Sequence, residues 1–156
     1  MHKIRIWNYK AIAKGPEVRG TIQSVPDSAA RRGESPAKWG LRMLLRHLQA
    51  LAADGDTLLR AYPSRAHAVD EVVNDFSSYL QMAKKAAEEG LVTNAMLDKA
   101  RAVEDQITEM SKKSSPSLWN EQGLRKRREW VVVRQLSAEA LKALGYDVEP
   151  PPPLSM

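Results

Sequence analysis

The stretch SRAHAVDEVVNDFSSYLQMAKKAAEE, residues 64–89, keeps one unbroken helical period longer than any other part of the chain. Val69, Val72, Val73, Phe76, Leu80, Ala83 and Ala87 recur mainly at steps of three and four, while Arg65, Glu71, Asn74, Asp75, Ser78, Lys85 and Glu88 fall off that stripe. The pattern predicts an amphipathic helix with Ser64 as N-cap after Pro63. Asp70 and Glu71 lie toward its positive end, Lys84 and Lys85 toward its negative end, and Gly90 past its last turn. At 1.5 Å per residue such a rod is roughly 38 Å long and would serve as the scaffold for the remaining elements.

Working outward, Thr93 can cap a second helix over residues 94–111, in which Met96, Ala100, Val103, Ile107 and Met110 form a narrow seam. The short connection predicts that helices 64–89 and 94–111 form a long antiparallel hairpin. Upstream, Ser35-Pro36 is a strong helix start, and Leu41, Leu44, Leu45, Leu48, Leu51 and Ala52 give its buried stripe before Asp54-Gly55-Asp56 ends it. Lys38, Arg42 and Arg46 recur at four-residue steps and read as a basic ridge on the outer face. No acidic residue between Pro36 and Ala53 is present to pair with it.

The flanks read as β-structure. Residues 3–12 alternate Ile4 and Ile6 against Lys3 and Arg5, residues 18–25 form a second run, and Gly15-Pro16 supplies a turn. Residues 26–36 have no period and carry Arg31 and Arg32. Past the breaker Lys112-Lys113-Ser114-Ser115-Pro116-Ser117, Leu118 and Trp119 read as an anchor, and Arg125-Lys126-Arg127-Arg128 leads into Trp130-Val131-Val132-Val133, which reads as a buried strand. Ser137 would cap a short closing helix that ends at Gly145, and residues 150–153 are consecutive prolines. The expected fold is mainly α in an α+β sense: the helical hairpin, an N-terminal helix, and a small sheet from N- and C-terminal strands. Its organisation is a basic arm or hairpin over 1–34, a helical core domain with a C-terminal strand over 35–146, and a proline-rich tail over 147–156.

With 156 residues and 43% apolar content the chain is sized for one core. The absence of cysteine excludes disulfides, thiolate zinc sites and a cysteine nucleophile. No apolar run is long enough to span a bilayer, so a soluble, non-secreted protein without a membrane partner is expected, and the basic start reads as retained structure rather than a targeting segment. The net charge of +5 is unevenly spread. Residues 1–46 hold ten basic and three acidic residues, residues 47–109 six and eleven, and residues 110–156 eight and five. Basic ends around an acidic middle suit a polyanion partner. His2, His47 and His67 sit in separate elements without metal-ligand spacing, Asp54 and Asp56 lack a third calcium ligand, and no phosphate loop or nucleophile elbow occurs. The reading is therefore non-enzymatic, with no catalytic residue, cofactor or metal.

Leu44-Leu45-Arg46-His47-Leu48, then Leu58-Leu59-Arg60, then Arg65-Ala66 follow an order that resembles the bacterial-type seventeenth protein of the large ribosomal subunit, over about residues 41–90. The resemblance implies a non-enzymatic protein that uses Arg46, Arg60 and Arg65 on ribosomal RNA, in a divergent or organellar ribosome. The function expected is an RNA-binding structural component of a ribonucleoprotein assembly, in the cytoplasm or mitochondrial matrix, with structured RNA and neighbouring proteins as partners. Its RNA contacts would be Arg31, Arg32, Lys38, Arg42, Arg46, Arg60, Arg65, Arg125, Lys126, Arg127 and Arg128, since arginine's planar fork suits phosphate and 2′-hydroxyl contacts. The rival is a phage or mobile-element inhibitor of a host nucleic-acid-handling complex, docking through Asp98, Glu104, Asp105 and Glu109. A DNA-binding accessory protein and a hydrolase rank behind.

Overall fold

The computed structural model describes residues 33–113, 115–146 and 148, which are mainly helical and contain no strand. Among the described residues six α-helices follow one another: α1 (Pro36–Ala52), α2 (Gly55–Arg60), α3 (Ala68–Glu88), α4 (Asn94–Ser111), α5 (Glu121–Lys126) and α6 (Arg128–Ala143), with a 3-10 turn at Pro116–Leu118. The starts of α1 and α4 are built as their sequences dictate: Ser35 accepts a hydrogen bond from the Lys38 amide (3.1 Å) and Thr93 from the Met96 amide (3.1 Å). Gly90 ends α3 in the left-handed region (φ 79°), where the Leu91 and Gly90 amides bond back to the Ala86 and Ala87 carbonyls. Gly145 ends α6 in the same way (φ 92°). No helix among the described residues is long and apolar enough to cross a membrane.

The four long helices form a ring of neighbours, α1 on α3, α3 on α4, α4 on α6 and α6 on α1, while α2 rests on α5 at one end. The hairpin expected of helices 64–89 and 94–111 exists as a connection but not as the main packing unit: α3 packs chiefly on α1, and α4 chiefly on α6. The central element is α1. Every residue from Arg42 to Leu51 is buried, and α3 and α6 both pack on this helix. A helix buried on all sides has no outer face to offer.

Three further expectations change. Helix α3 starts at Ala68 rather than after Ser64, because Ser64 and Arg65 accept backbone bonds from His67 and Ala68 in a turn. Residues Trp130 to Val133 belong to α6, not to a strand. Trp130, Val133, Ser137, Ala140, Leu141 and Leu144 are buried at helical spacing while Val131 stands 37% exposed, so the core rewards the 3.6-residue period over the strand preference of valine. Ser137 accordingly sits inside that helix instead of capping it. The strand runs 3–12 and 18–25 and the proline tail from residue 149 lie outside the described residues, as do Arg31 and Arg32.

Two aromatic contacts tie the chain between α4 and α6 to the core. Trp130 is 1% exposed, its indole N–H donates to the Leu118 carbonyl (2.6 Å), and it meets the half-buried Trp119 edge to face at 5.9 Å. Leu118 itself is fully buried, as its expected anchoring role requires.

Candidate functional site

The sequence-remote basic residues meet around α5. Asp54 caps α2 by accepting from the Thr57 amide (2.9 Å) and hydroxyl (2.8 Å), bonds that hold its carboxyl below the usual range. Asn120 caps α5 by accepting from the Gly123 amide (2.8 Å). Gly55 lets the two short helices approach closely, since a Cβ there would come within 3.2 Å of the Arg125 Cα.

Across this junction Arg125 Nε donates to Asp56 Oδ1 (2.6 Å), and Glu121 lies between Arg65 (3.3 Å) and Arg125 (3.5 Å). The Asp56 hydrogen bond and the charges of Asp56 and Glu121 raise the Arg125 pKa. Arg60 donates to the Thr57 hydroxyl (3.3 Å). On the far side of α5, Arg127 donates to the Ser117 hydroxyl (2.6 Å) and to Glu129 (3.2 Å), and Lys113 donates to Glu129 as well (3.0 Å). The Lys113 ammonium, the Glu129 amide and Arg127 hold the Glu129 carboxyl down at about 2. Lys126 and Arg128 are exposed and form no ion pair among the described residues. Exposed pairs of this kind contribute little to stability, about 0–1 kcal/mol each, and act mainly to orient the guanidinium groups.

The expected ridge on α1 is not a surface feature. Lys38 is exposed, but Arg42 is 6% exposed and grips Glu34 with two bonds (2.6 and 2.7 Å), and Arg46 is fully buried. The partner of Arg42 comes from just outside the helix, which the absence of acids within residues 36–53 could not reveal. Of the expected RNA contacts, the structure brings Arg65 and Arg125 together through Glu121, carries Arg60 on the adjoining α2 and Lys126, Arg127 and Arg128 along α5 and the start of α6, leaves Lys38 exposed on α1, and takes Arg42 and Arg46 into the interior.

Beside Arg46 lies a buried polar cluster that the sequence pattern did not announce. The fully buried His47 donates its Nδ1–H to the Met43 carbonyl (2.8 Å), stacks obliquely on Tyr79 (5.0 Å) and faces Asp75 at 3.6 Å. Burial is the main cause that lowers its pKa to about 3, with the Met43 bond opposing and the Arg46 charge assisting. His47 is thus neutral, and its approach to Asp75 is neither an ion pair nor, at that distance, a hydrogen bond. Arg46, His47 and Asp75 are each at most 1% exposed. Among the described residues no three His, Cys, Asp or Glu side chains converge as a metal site would need.

The described residues thus define a four-helix domain with a charged, ion-paired end built by α2 and α5. Comparison of the chain with models of known families, with curated proteins and with solved structures returns no match.

Proposed function

We propose that the chain is a non-enzymatic RNA-binding component of a ribonucleoprotein assembly and that it holds structured RNA through the α2–α5 end. The observation that carries this reading is that Arg65 and Arg125, some sixty residues apart in the chain, share Glu121 where α2 packs on α5, with Arg60 on α2 and Lys126, Arg127 and Arg128 following in sequence. Guanidinium groups oriented by carboxylates and hydroxyls present donors to a phosphate backbone, and Lys126 and Arg128 add exposed cations that no carboxylate among the described residues neutralises. Ribosomal RNA is the partner class that the resemblance over residues 41–90 implies, with a cytoplasmic or mitochondrial-matrix location. Of its three arginines, Arg60 and Arg65 are exposed whereas Arg46 is buried. The rival inhibitor reading uses the acids of α4, yet Asp98 already holds Arg101 (2.8 Å) and Glu109 holds Lys112 (2.9 Å), which weakens their field as a nucleic-acid mimic.

The test is RNA binding as a function of salt. If about four phosphates are neutralised, affinity should fall roughly a hundredfold between about 50 and 200 mM salt. The triple variant Arg60→Glu, Lys126→Glu, Arg128→Glu should lose binding with its helical signal unchanged, while Lys142→Glu, an exposed change elsewhere, should not. Salt-independent binding, or equal binding by both variants, would overturn the proposal.

A further inference from the structure

Helices α3 and α4 are joined by five residues, yet each packs chiefly on a different partner, and their own seam opens into a cleft of about 200 Å³. Its lining combines Val73, Phe76, Ser77, Glu104, Ile107 and Trp119. We propose that this cleft takes one lysine or arginine side chain presented by a neighbouring protein, independently of the RNA-binding end.

The chemistry of the lining selects a cation on an apolar stem. Phe76 is fully buried and Ile107 nearly so, which gives an apolar floor. Trp119 packs edge to face on the buried Trp130, which places its ring along the wall of the cleft. Glu104 is half-buried and accepts one hydrogen bond, from the Ser77 hydroxyl (2.8 Å). Among the described residues it forms no ion pair, in contrast to Asp98, Glu109 and Glu129. A carboxylate has room for several donors, and this one is partly removed from water beside an aromatic ring. An ammonium or guanidinium gains there both a charge-assisted hydrogen bond and the attraction of the ring, while its methylenes lie against the half-buried Val73 and Trp119.

Size and charge decide between occupants. Pockets for drug-sized ligands begin at about 300 Å³, so a nucleoside is too large and a single long side chain is about right. Asp105, next along α4, is exposed and carries the negative field beyond the cleft itself. That favours a cation borne on a larger basic surface over a free amine.

The experiment is a titration of the full chain, followed by amide and indole NMR shifts, with acetyl-Gly-Lys-Gly-amide, with the same peptide acetylated at Nζ, and with putrescine. The lysine peptide should shift Ser77, Glu104, Ile107 and the Trp119 indole and bind roughly tenfold or more tightly than its acetylated form. Glu104→Gln should remove that preference and Glu104→Asp should keep part of it, with thermal melts like that of the parent. Absent shifts, equal titration by the two peptides, or tighter binding of putrescine would each overturn the proposal. The wild-type peptide pair decides the matter even if Glu104→Gln fails to fold.

Discussion

Gly123→Ala is the substitution on which the architecture makes its least intuitive demand. In a helix this change ordinarily stabilises by about 0.5–1 kcal/mol, because alanine has less backbone freedom to lose. Here a Cβ would overlap the Ser117 carbonyl oxygen and come within 2.9 Å of its carbon and 3.1 Å of the Leu118 carbonyl carbon. These are backbone atoms, so no rotamer change relieves the contact, and the 3-10 turn must move away from α5. That turn carries the Leu118 carbonyl, which accepts the Trp130 indole N–H at 2.6 Å, and Leu118 itself, which is fully buried. Overpacking of this kind costs about 1–3 kcal/mol, and an indole N–H left without its acceptor costs about 1–3 kcal/mol more. After subtracting the propensity gain the net loss is about 3 kcal/mol, or roughly 6–12 °C in melting temperature for a chain of this size. Urea unfolding followed by tryptophan fluorescence measures it, and the near-ultraviolet circular dichroism should change because the Trp119–Trp130 pair is disturbed. A variant as stable as the parent would refute the close packing of α5 on the turn.

Phe76→Ala, at a fully buried site on α3, should cost about 3–5 kcal/mol, read as a lowered urea midpoint; an unchanged midpoint would place the side chain in solvent. Arg42→Glu should destabilise by about 3–5 kcal/mol by leaving Glu34 facing a like charge in a buried pair, whereas Lys38→Glu should leave the melt within about 0.5 kcal/mol. His47 makes stability pH-dependent. Its folded pKa is about 3 against the ordinary 6.5, so the unfolded chain takes up the proton first. The stabilisation is complete above pH 6.5 and is lost as pH falls toward 3, by up to about 1.4 kcal/mol per unit. Between about pH 6.5 and 5 this loss precedes that from Glu129, whose contribution disappears only below its ordinary 4.5, toward 2. A urea midpoint constant from pH 7 to 5 would contradict it.

The local elements were largely legible because their signals are local. Ser35-Pro36, Thr93, Gly90 and Gly145 each mark a boundary through a hydrogen bond or a positive φ that depends only on nearby residues. The valine run misled because strand preference and helical period compete in Trp130-Val131-Val132-Val133, and the deciding partners, Ser137, Ala140, Leu141 and Leu144, lie farther along. Of the candidate site, the α5 cations could be named from the sequence. Their meeting with Arg60 and Arg65 could not, because it depends on Asp56 and Glu121 bridging segments remote in the chain.

The misplacement of the basic ridge has the same origin and a further consequence. Arg42, Arg46, His47 and Gln49 interrupt the leucine stripe of α1, and a polar residue off an apolar stripe normally faces water. In this chain α3 packs on one flank of α1 and α6 on another, so these polar residues are enclosed along with the leucines. Glu34 meets Arg42 directly, and Asp75 lies opposite His47. The Arg42–Glu34 pair joins α1 to the residues that lead into it, and breaking a buried pair of this kind is costly. The polar residues of α1 are thus drawn into the centre of the bundle rather than offered to solvent. The exposed charge around α5, held by solvent-accessible pairs worth little to the fold, is what remains free to meet a partner.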